Sequence, residues 1–248
     1  MVVGICDWGI GGLGFYNLLR TERPDLDVVY IGDQGVPGYG LFDRHGLTLR
    51  LTGVFRTFAK LGVADVVVAC NAASTVVPAV DAPEVRGFGI IDPTLAAIRQ
   101  LPVGKIGLIG GRRTVRSGSY RRALQAEGWD VKQRVAQPLS RLIEDGKASA
   151  PDTLDLLTQI LGPLRDVDHL VLACTHYIVL EQDVMARVPG AHIVDPATEA
   201  WRQFRVQLPS KSERSGSDRF LTTGSAAAMR QQAKVAFGVD AEVEEIRI

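Results

Sequence analysis

Three landmarks recur along this chain at a common spacing. The run VVVACN carries Cys70 and LVLACT carries Cys174, 104 residues further on. IIDPTLAA places Asp92-Pro93 and IVDPATEA places Asp195-Pro196, 103 residues apart, the same spacing that separates Gly4 of GICDWG from Gly107 of GLIGGR. Any one pair could match by chance among apolar strands, but a shared offset is the mark of a duplicated unit. The repeat predicts two pseudo-symmetric α/β domains: 99–204 forms one, and 1–98 forms the other, completed by a returning segment, 205–248.

The hydrophobic pattern says what each unit is. Short apolar runs at 2–6, 27–32, 65–70, 85–91, 105–110, 129–136, 169–174 and 191–195 read as strands, most of them followed by ten to fifteen residues of helical pattern. Such alternation argues for βαβ units, hence mainly parallel sheets flanked by helices. Near the end, DRFLTTG reads as a strand, SAAAMRQQAKVAFG as a Ser-capped helix closed by glycine, and AEVEEIRI as a last strand, while 209–218 is a polar loop. Ligands in open α/β sheets bind at the C-terminal strand ends. Two such units packed face to face bring Cys70 and Cys174 into one interdomain cleft from opposite sides.

Composition removes several function classes. With 28 basic and 28 acidic residues among 248, no global field draws the chain to nucleic acid or to anionic lipid. No apolar run is long enough to span a membrane, and MVVGICD reads as a first core strand rather than a leader. Three widely spaced cysteines do not make a secreted disulfide framework. The expectation is a cytoplasmic protein acting on a small molecule.

Each of the two cysteines ends a strand. Cys70 precedes NAAST, a helix start whose unpaired N–H groups would favour a thiolate, and Cys174 is followed by Thr175 and His176. A buried cysteine is ordinarily a small apolar core residue, which suits Cys6. Two at equivalent strand ends, each followed by polar residues, point instead to chemistry. Zinc ligation by Cys70, Cys174 and His176 lacks the close paired spacing of structural sites. A single Cys–His hydrolase pair would leave the matching cysteine idle. Opposed thiols suit removal of a proton from one face of a stereocentre and its return to the other, with Asp7 and His176 as candidates to assist ionisation. On that reading the sulfurs lie roughly 6–9 Å apart, with an α-carbon between them.

One motif points elsewhere. Gly9, Gly11 and Gly14 spell G-x-G-x-x-G after an apolar run, with Asp33 some twenty residues on, the outline of a dinucleotide fingerprint. Asp7, two residues before the first glycine, would repel a pyrophosphate. The glycines are better suited to closing the backbone around a small substrate.

At this point the sequence resembles the cofactor-independent aspartate/glutamate racemase superfamily, and most of all its glutamate racemases. The likeness is carried by CDWGIGGLG, YIGDQGVPGYG, VVVACNAAST, TVRSGSY, PLSRLIEDG and LVLACTHYIVL, from the first strand to about Ala200. It implies that Cys70 and Cys174 are the acid/base thiols, with Asp7, His176 and Glu144 assisting them. It also implies that Asn71, Thr175, Tyr39 and Gly40 hold the substrate's amino and carboxylate groups, with Thr114 nearby. It implies no pyridoxal phosphate, no metal and no other cofactor, a possible homodimer, and D-glutamate production for peptidoglycan biosynthesis. Departures fall on the pocket. Trp8 stands where the family has a small serine, and Ala72 where it has a threonine. Gly38 interrupts Pro-Tyr-Gly, and GGRR (110–113) replaces Gly-Thr-x-Ala. The resemblance therefore supports the chemistry more firmly than the substrate, and a different carboxylated substrate is the alternative reading; a dinucleotide-binding or non-catalytic binding protein that keeps the fold stands behind it, opposed by the retention of Cys70, Cys174, Asp7 and His176 together.

Overall fold

The computed structural model describes all 248 residues. Its strands are β1 (Val2–Asp7), β2 (Asp27–Gly32), β3 (Asp65–Val68), β4 (Arg86–Gly89) and β5 (Lys105–Gly110), followed by β6 (Asp130–Val135), β7 (His169–Ala173), β8 (His192–Val194), β9 (Asp218–Thr222) and β10 (Val243–Glu245). They form two sheets, in the orders β10-β9-β2-β1-β3-β4 and β6-β5-β7-β8, and every pairing is parallel. The series β2-β1-β3-β4 and β6-β5-β7-β8 are the same arrangement, so the sequence repeat corresponds to one topology used twice.

The central strands are apolar along their length because helices cover both faces. Val3 and Ile5 of β1 pack on one side with Leu13, Phe15 and Phe204, while Cys6 joins Val66, Val68 and Phe58 on the other. Cys6 is thus a core residue, as its place inside a strand implies. The register sets Cys6 beside Ile31 of β2 and Val68 of β3, which brings Asp7 to the C-terminal edge opposite Gly32.

Both repeats end in an exchanged helix. Helix Ile91–Ile98 follows β4 yet buries Ile91, Leu95 and Ile98 against β5 and β7 of the second sheet. Helix Pro196–Phe204 follows β8 yet buries Ala197, Ala200, Trp201 and Phe204 against the first sheet. A division at 98/99 and 204/205 assigns these helices by chain order, whereas their apolar faces are buried across it. The reason is the short connection after each edge strand, which delivers the helix to the neighbouring sheet. The C-terminal helix Ala226–Phe237 is capped by Ser225, whose hydroxyl accepts from Ala228 N, and closed by Gly238 at φ 68°.

Candidate active site

Cys70 and Cys174 occupy equivalent places. Cys70 follows β3 and N-caps the short helix Asn71–Ser74 with φ −146° and ψ 118°, while Cys174 follows β7 and N-caps the 3₁₀ turn Thr175–Leu180 with φ −154° and ψ 126°. Both are free thiols lining a single cavity of about 40 Å³ between the two sheets. Asp7, Trp8, Tyr39 and Gly40 line it from the first strands, and Asn71 and Ala72 from beside Cys70. Thr114, Thr175 and His176 close it from the second sheet. Glu144 is one layer back, bonded to His176. Every site residue expected from the sequence therefore meets at one place.

The two thiols have unlike supports. On the Cys174 side, Sγ is 3.8 Å from His176 Nδ1, and His176 Nε2 is 2.8 Å from Glu144 Oε1. Burial opposes charge on His176, but Cys174 and Glu144 outweigh it and hold the imidazole well above its ordinary range. Burial likewise opposes charge on Glu144, but the hydrogen bond and charge of His176 hold its carboxyl below the usual value. On the Cys70 side stands Asp7, whose Oδ1 accepts from Trp8 N at 2.7 Å and whose Oδ2 accepts from Thr175 Oγ1 at 3.0 Å. Burial raises Asp7 against the opposing pull of His176 and its hydrogen-bond donors.

Cys70 differs from the sequence expectation of a helix-stabilised thiolate. Burial pushes its thiol well up, the negative charge of Asp7 pushes it further, and the Ala73 N–H opposes them too weakly. A four-residue helix supplies little dipole, and desolvation wins. The ionisable group beside Cys70 is Asp7, whose own carboxyl burial also raises.

The glycines of the opening motif are explained by the same geometry. A Cβ at Gly9 would lie 2.0 Å from Glu144 Oε1, and one at Gly11 would lie 2.5 Å from His176 Nδ1 and 2.6 Å from both Asp7 Oδ2 and Thr175 Oγ1. At Gly14 the nearest atom would be 3.7 Å away, an ordinary contact. Gly9 and Gly11 let buried polar side chains from the second sheet press onto the backbone after β1. Asp33, the acidic residue of the supposed fingerprint, is fully buried and committed: it accepts from Tyr39 OH at 2.7 Å and Thr223 Oγ1 at 2.6 Å, and pairs with Arg50. No carboxylate is left free for a ribose.

Other groups in the wall can receive a ligand. Asn71 is buried, its Oδ1 accepts from Tyr120 OH at 2.8 Å, and its Nδ2 has no partner within the protein. A buried donor without a partner at a cavity wall is suited to a ligand oxygen. The Trp8 indole is held by Nε1 donating to Val36 O at 2.9 Å and lies 6.5 Å from the His176 ring, centroid to centroid. No cluster of three His, Cys, Asp or Glu side chains is arranged to hold a metal.

The family model described as Asp/Glu/Hydantoin racemase matches residues 40–204. The chain belongs to this family. The racemase is 31% identical to a glutamate racemase from Desulforudis audaxviator, over 97% of this chain and 95% of that one, and 29% identical to one from Aquifex aeolicus, over 98% and 96%. Among solved structures, glutamate racemase isoform RacE1 from Bacillus anthracis superposes with a TM-score of 0.90 at 26% identity, covering 100% of this chain and 97% of the other. The protein is an isomerase, an amino-acid racemase similar to glutamate racemases along its whole length.

Sequence reasoning missed several residues of the racemase's site. Gln137 and Ser140 line the cavity, and Gln137 Oε1 accepts from Arg112 N at 2.9 Å where a Cβ on Gly40 would strike it. Both lie on the helix Gln137–Glu144, whose last residue was already a candidate, so facing positions on that helix were the available signal. Behind the cavity, Gln34 Nε2 donates to Glu144 Oε2 at 2.6 Å.

The buried Glu144–His176 pair makes stability pH-dependent. The raised His176 contributes fully below its unfolded value near 6.5 and is lost as pH rises through its folded value. The lowered Glu144 contributes fully above its unfolded value near 4.5 and is lost as pH falls through its folded value. The melting-temperature difference between wild type and Glu144→Gln should therefore peak between these two values and shrink on either side. A difference independent of pH from 3 to 10 would contradict the ion pair.

Proposed function

We propose that the racemase interconverts L- and D-glutamate by two-base proton transfer, with one cysteine on each face of the α-carbon. The observation that carries this reading is the pair of thiols at equivalent strand ends, in matching backbone conformations, on one cavity. Asp7 accepts the Cys70 proton, the Cys70 thiolate removes the α-hydrogen, and the Cys174 thiol delivers its proton to the opposite face. The products are a Cys70 thiol and a Cys174 thiolate stabilised by the His176 imidazolium. Reaction in the other direction exchanges the roles. Asn71, with its unpartnered amide, and Thr175, Tyr39 and Gly40 hold the amino and carboxylate groups, with Thr114 nearby. No cofactor or metal enters the scheme.

The same reading takes 1–98 with 205–248 and 99–204 as the two units that close on substrate, joined by the exchanged helices. It makes the protein a cytoplasmic enzyme supplying D-glutamate for peptidoglycan. Supporting observations are the charge-balanced chain, the absence of any helix long and apolar enough to cross a membrane, and the relatives named above.

One observation favours a different carboxylated substrate. Trp8 and Ala72 line the cavity beside the thiols, where the family has a small serine and a threonine. The indole takes up room that a serine would leave open, and Ala72 offers no hydroxyl to a carboxylate. The deciding experiment incubates single enantiomers of a panel of amino acids in deuterated water and reads α-deuteration by NMR. Trp8→Ser combined with Ala72→Thr should raise kcat/KM for glutamate about tenfold, because a regained buried hydrogen bond alone is worth ~1 kcal/mol. Robust wild-type turnover of glutamate, unimproved by the double change, would refute the view that these two residues restrict the pocket.

A further inference from the structure

We propose that Gln34 is a positioning residue for the Glu144–His176 pair, and that through Gln232 it ties the C-terminal helix to the acid/base group behind Cys174. The proposal rests on the two-thiol reading above.

Gln34 follows β2 and Asp33 and is half-buried. Its Nε2 donates to Glu144 Oε2 at 2.6 Å and to Gln232 Oε1 at 2.7 Å. Glu144 Oε1 accepts from His176 Nε2 at 2.8 Å and from Ile10 N at 3.1 Å. An amide nitrogen has two protons and a carboxylate only accepts, so these contacts use both protons and fix which way the amide faces. The result is a continuous series from helix Ala226–Phe237 through Gln232, Gln34, Glu144 and His176 to Cys174 Sγ. Three separate stretches of chain converge on one carboxylate that is itself buried.

Placement gives Gln34 its effect. Glu144 has two oxygens: one is shared by His176 and a main-chain N–H, and the other is held by Gln34. Without that donor Oε2 loses its hydrogen bond and the buried carboxylate is more costly to keep ionised. Cys174, Glu144 and Asp7 face His176. Tyr30 lies near Glu144, and the C-terminal helix contributes the neutral Gln232. Losing the donor therefore weakens the hold of Glu144 on the imidazolium, which contacts Cys174 Sγ directly and reaches Asp7 only through its charge. Cys70 depends on Asp7, which Gln34 does not touch.

The test measures α-hydrogen exchange in deuterated water against pH, starting from D- and L-glutamate or the enantiomer pair the panel selects. Each face is assigned by the exchange that survives in Cys70→Ser and in Cys174→Ser. Gln34→Leu should slow exchange on the Cys174 face about tenfold, the effect of one charge-assisted hydrogen bond, and move the basic limb of its pH profile down by about one unit. The Cys70 face should change by less than about twofold. Gln34→Lys, which keeps a donor against Glu144, should restore most of the loss. Gln232→Leu should reproduce the pattern at about two- to threefold, and decides by the same criterion if Gln34→Leu does not fold. Equal slowing of both faces, no slowing, or a Gln34→Lys variant as impaired as Gln34→Leu would overturn the proposal. Failure of the underlying reading shows separately, as racemisation that survives loss of either cysteine.

Discussion

Cys70→Ser and Cys174→Ser should each lower racemisation about a thousandfold, within the ~10²–10⁴ range for removal of a positioned acid/base group. Serine keeps the shape of the site, but its hydroxyl ionises far less readily than a thiol. The two losses should also be complementary. A variant lacking one thiol retains the base on the other face, so it should still exchange the α-hydrogen of one enantiomer and not of the other. Cys174→Ser leaves Cys70 with Asp7; Cys70→Ser leaves Cys174 with His176. The pH dependences of the two residual reactions should differ, because burial and the Asp7 charge raise Cys70, whereas an imidazolium held by Glu144 stands beside Cys174. Kinetics of α-deuteration for both enantiomers and both variants check this. Near-normal racemisation in either variant, or exchange of the same enantiomer in both, would end the two-thiol assignment.

Gly11→Ala should be nearly as damaging, by a different route. The added methyl carbon would lie 2.5 Å from His176 Nδ1 and 2.6 Å from both Asp7 Oδ2 and Thr175 Oγ1. All three side chains are buried and hydrogen-bonded, so none can give way cheaply. A displacement approaching 1 Å at reacting groups costs about a hundredfold in rate, and overpacking costs a further ~1–3 kcal/mol of stability. Gly14→Ala is the control from the same motif. It sits inside helix Leu13–Glu22 with its nearest neighbour at 3.7 Å, so alanine should be neutral or stabilise by up to ~1 kcal/mol. A dinucleotide fingerprint predicts the reverse emphasis, since its third glycine serves close helix–strand packing. Paired measurements of kcat/KM and melting temperature separate the two readings; a benign Gly11→Ala would mean that the contacts at this corner do not govern catalysis.

Much of this was open to a reader of the sequence. The strands were legible because helices cover both faces of a parallel sheet, which makes each central strand a short apolar run such as DVVYIG or KIGLIG. The repeat offset was legible because duplication conserves spacing, and it places Cys70 and Cys174 at equivalent strand ends. Asp7 and His176 followed from adjacency to those ends. What lay beyond the sequence was every relation that crosses from one sheet to the other. Nothing local to Gly9 or Gly11 says that Glu144 and His176 will press against them, more than a hundred residues away. Nothing in Gln34 names Glu144 and Gln232 as its partners, and nothing in Asp33 reveals that Arg50, Tyr39 and Thr223 consume its oxygens. The exchanged helices and the high-lying Cys70 thiol belong to the same class. Periodicity encodes which face of an element is buried, but not which surface buries it. Ionisation depends on desolvation and on charges brought close by folding, so the sequence determined which groups could do chemistry here, and tertiary structure alone decided how readily each of them ionises.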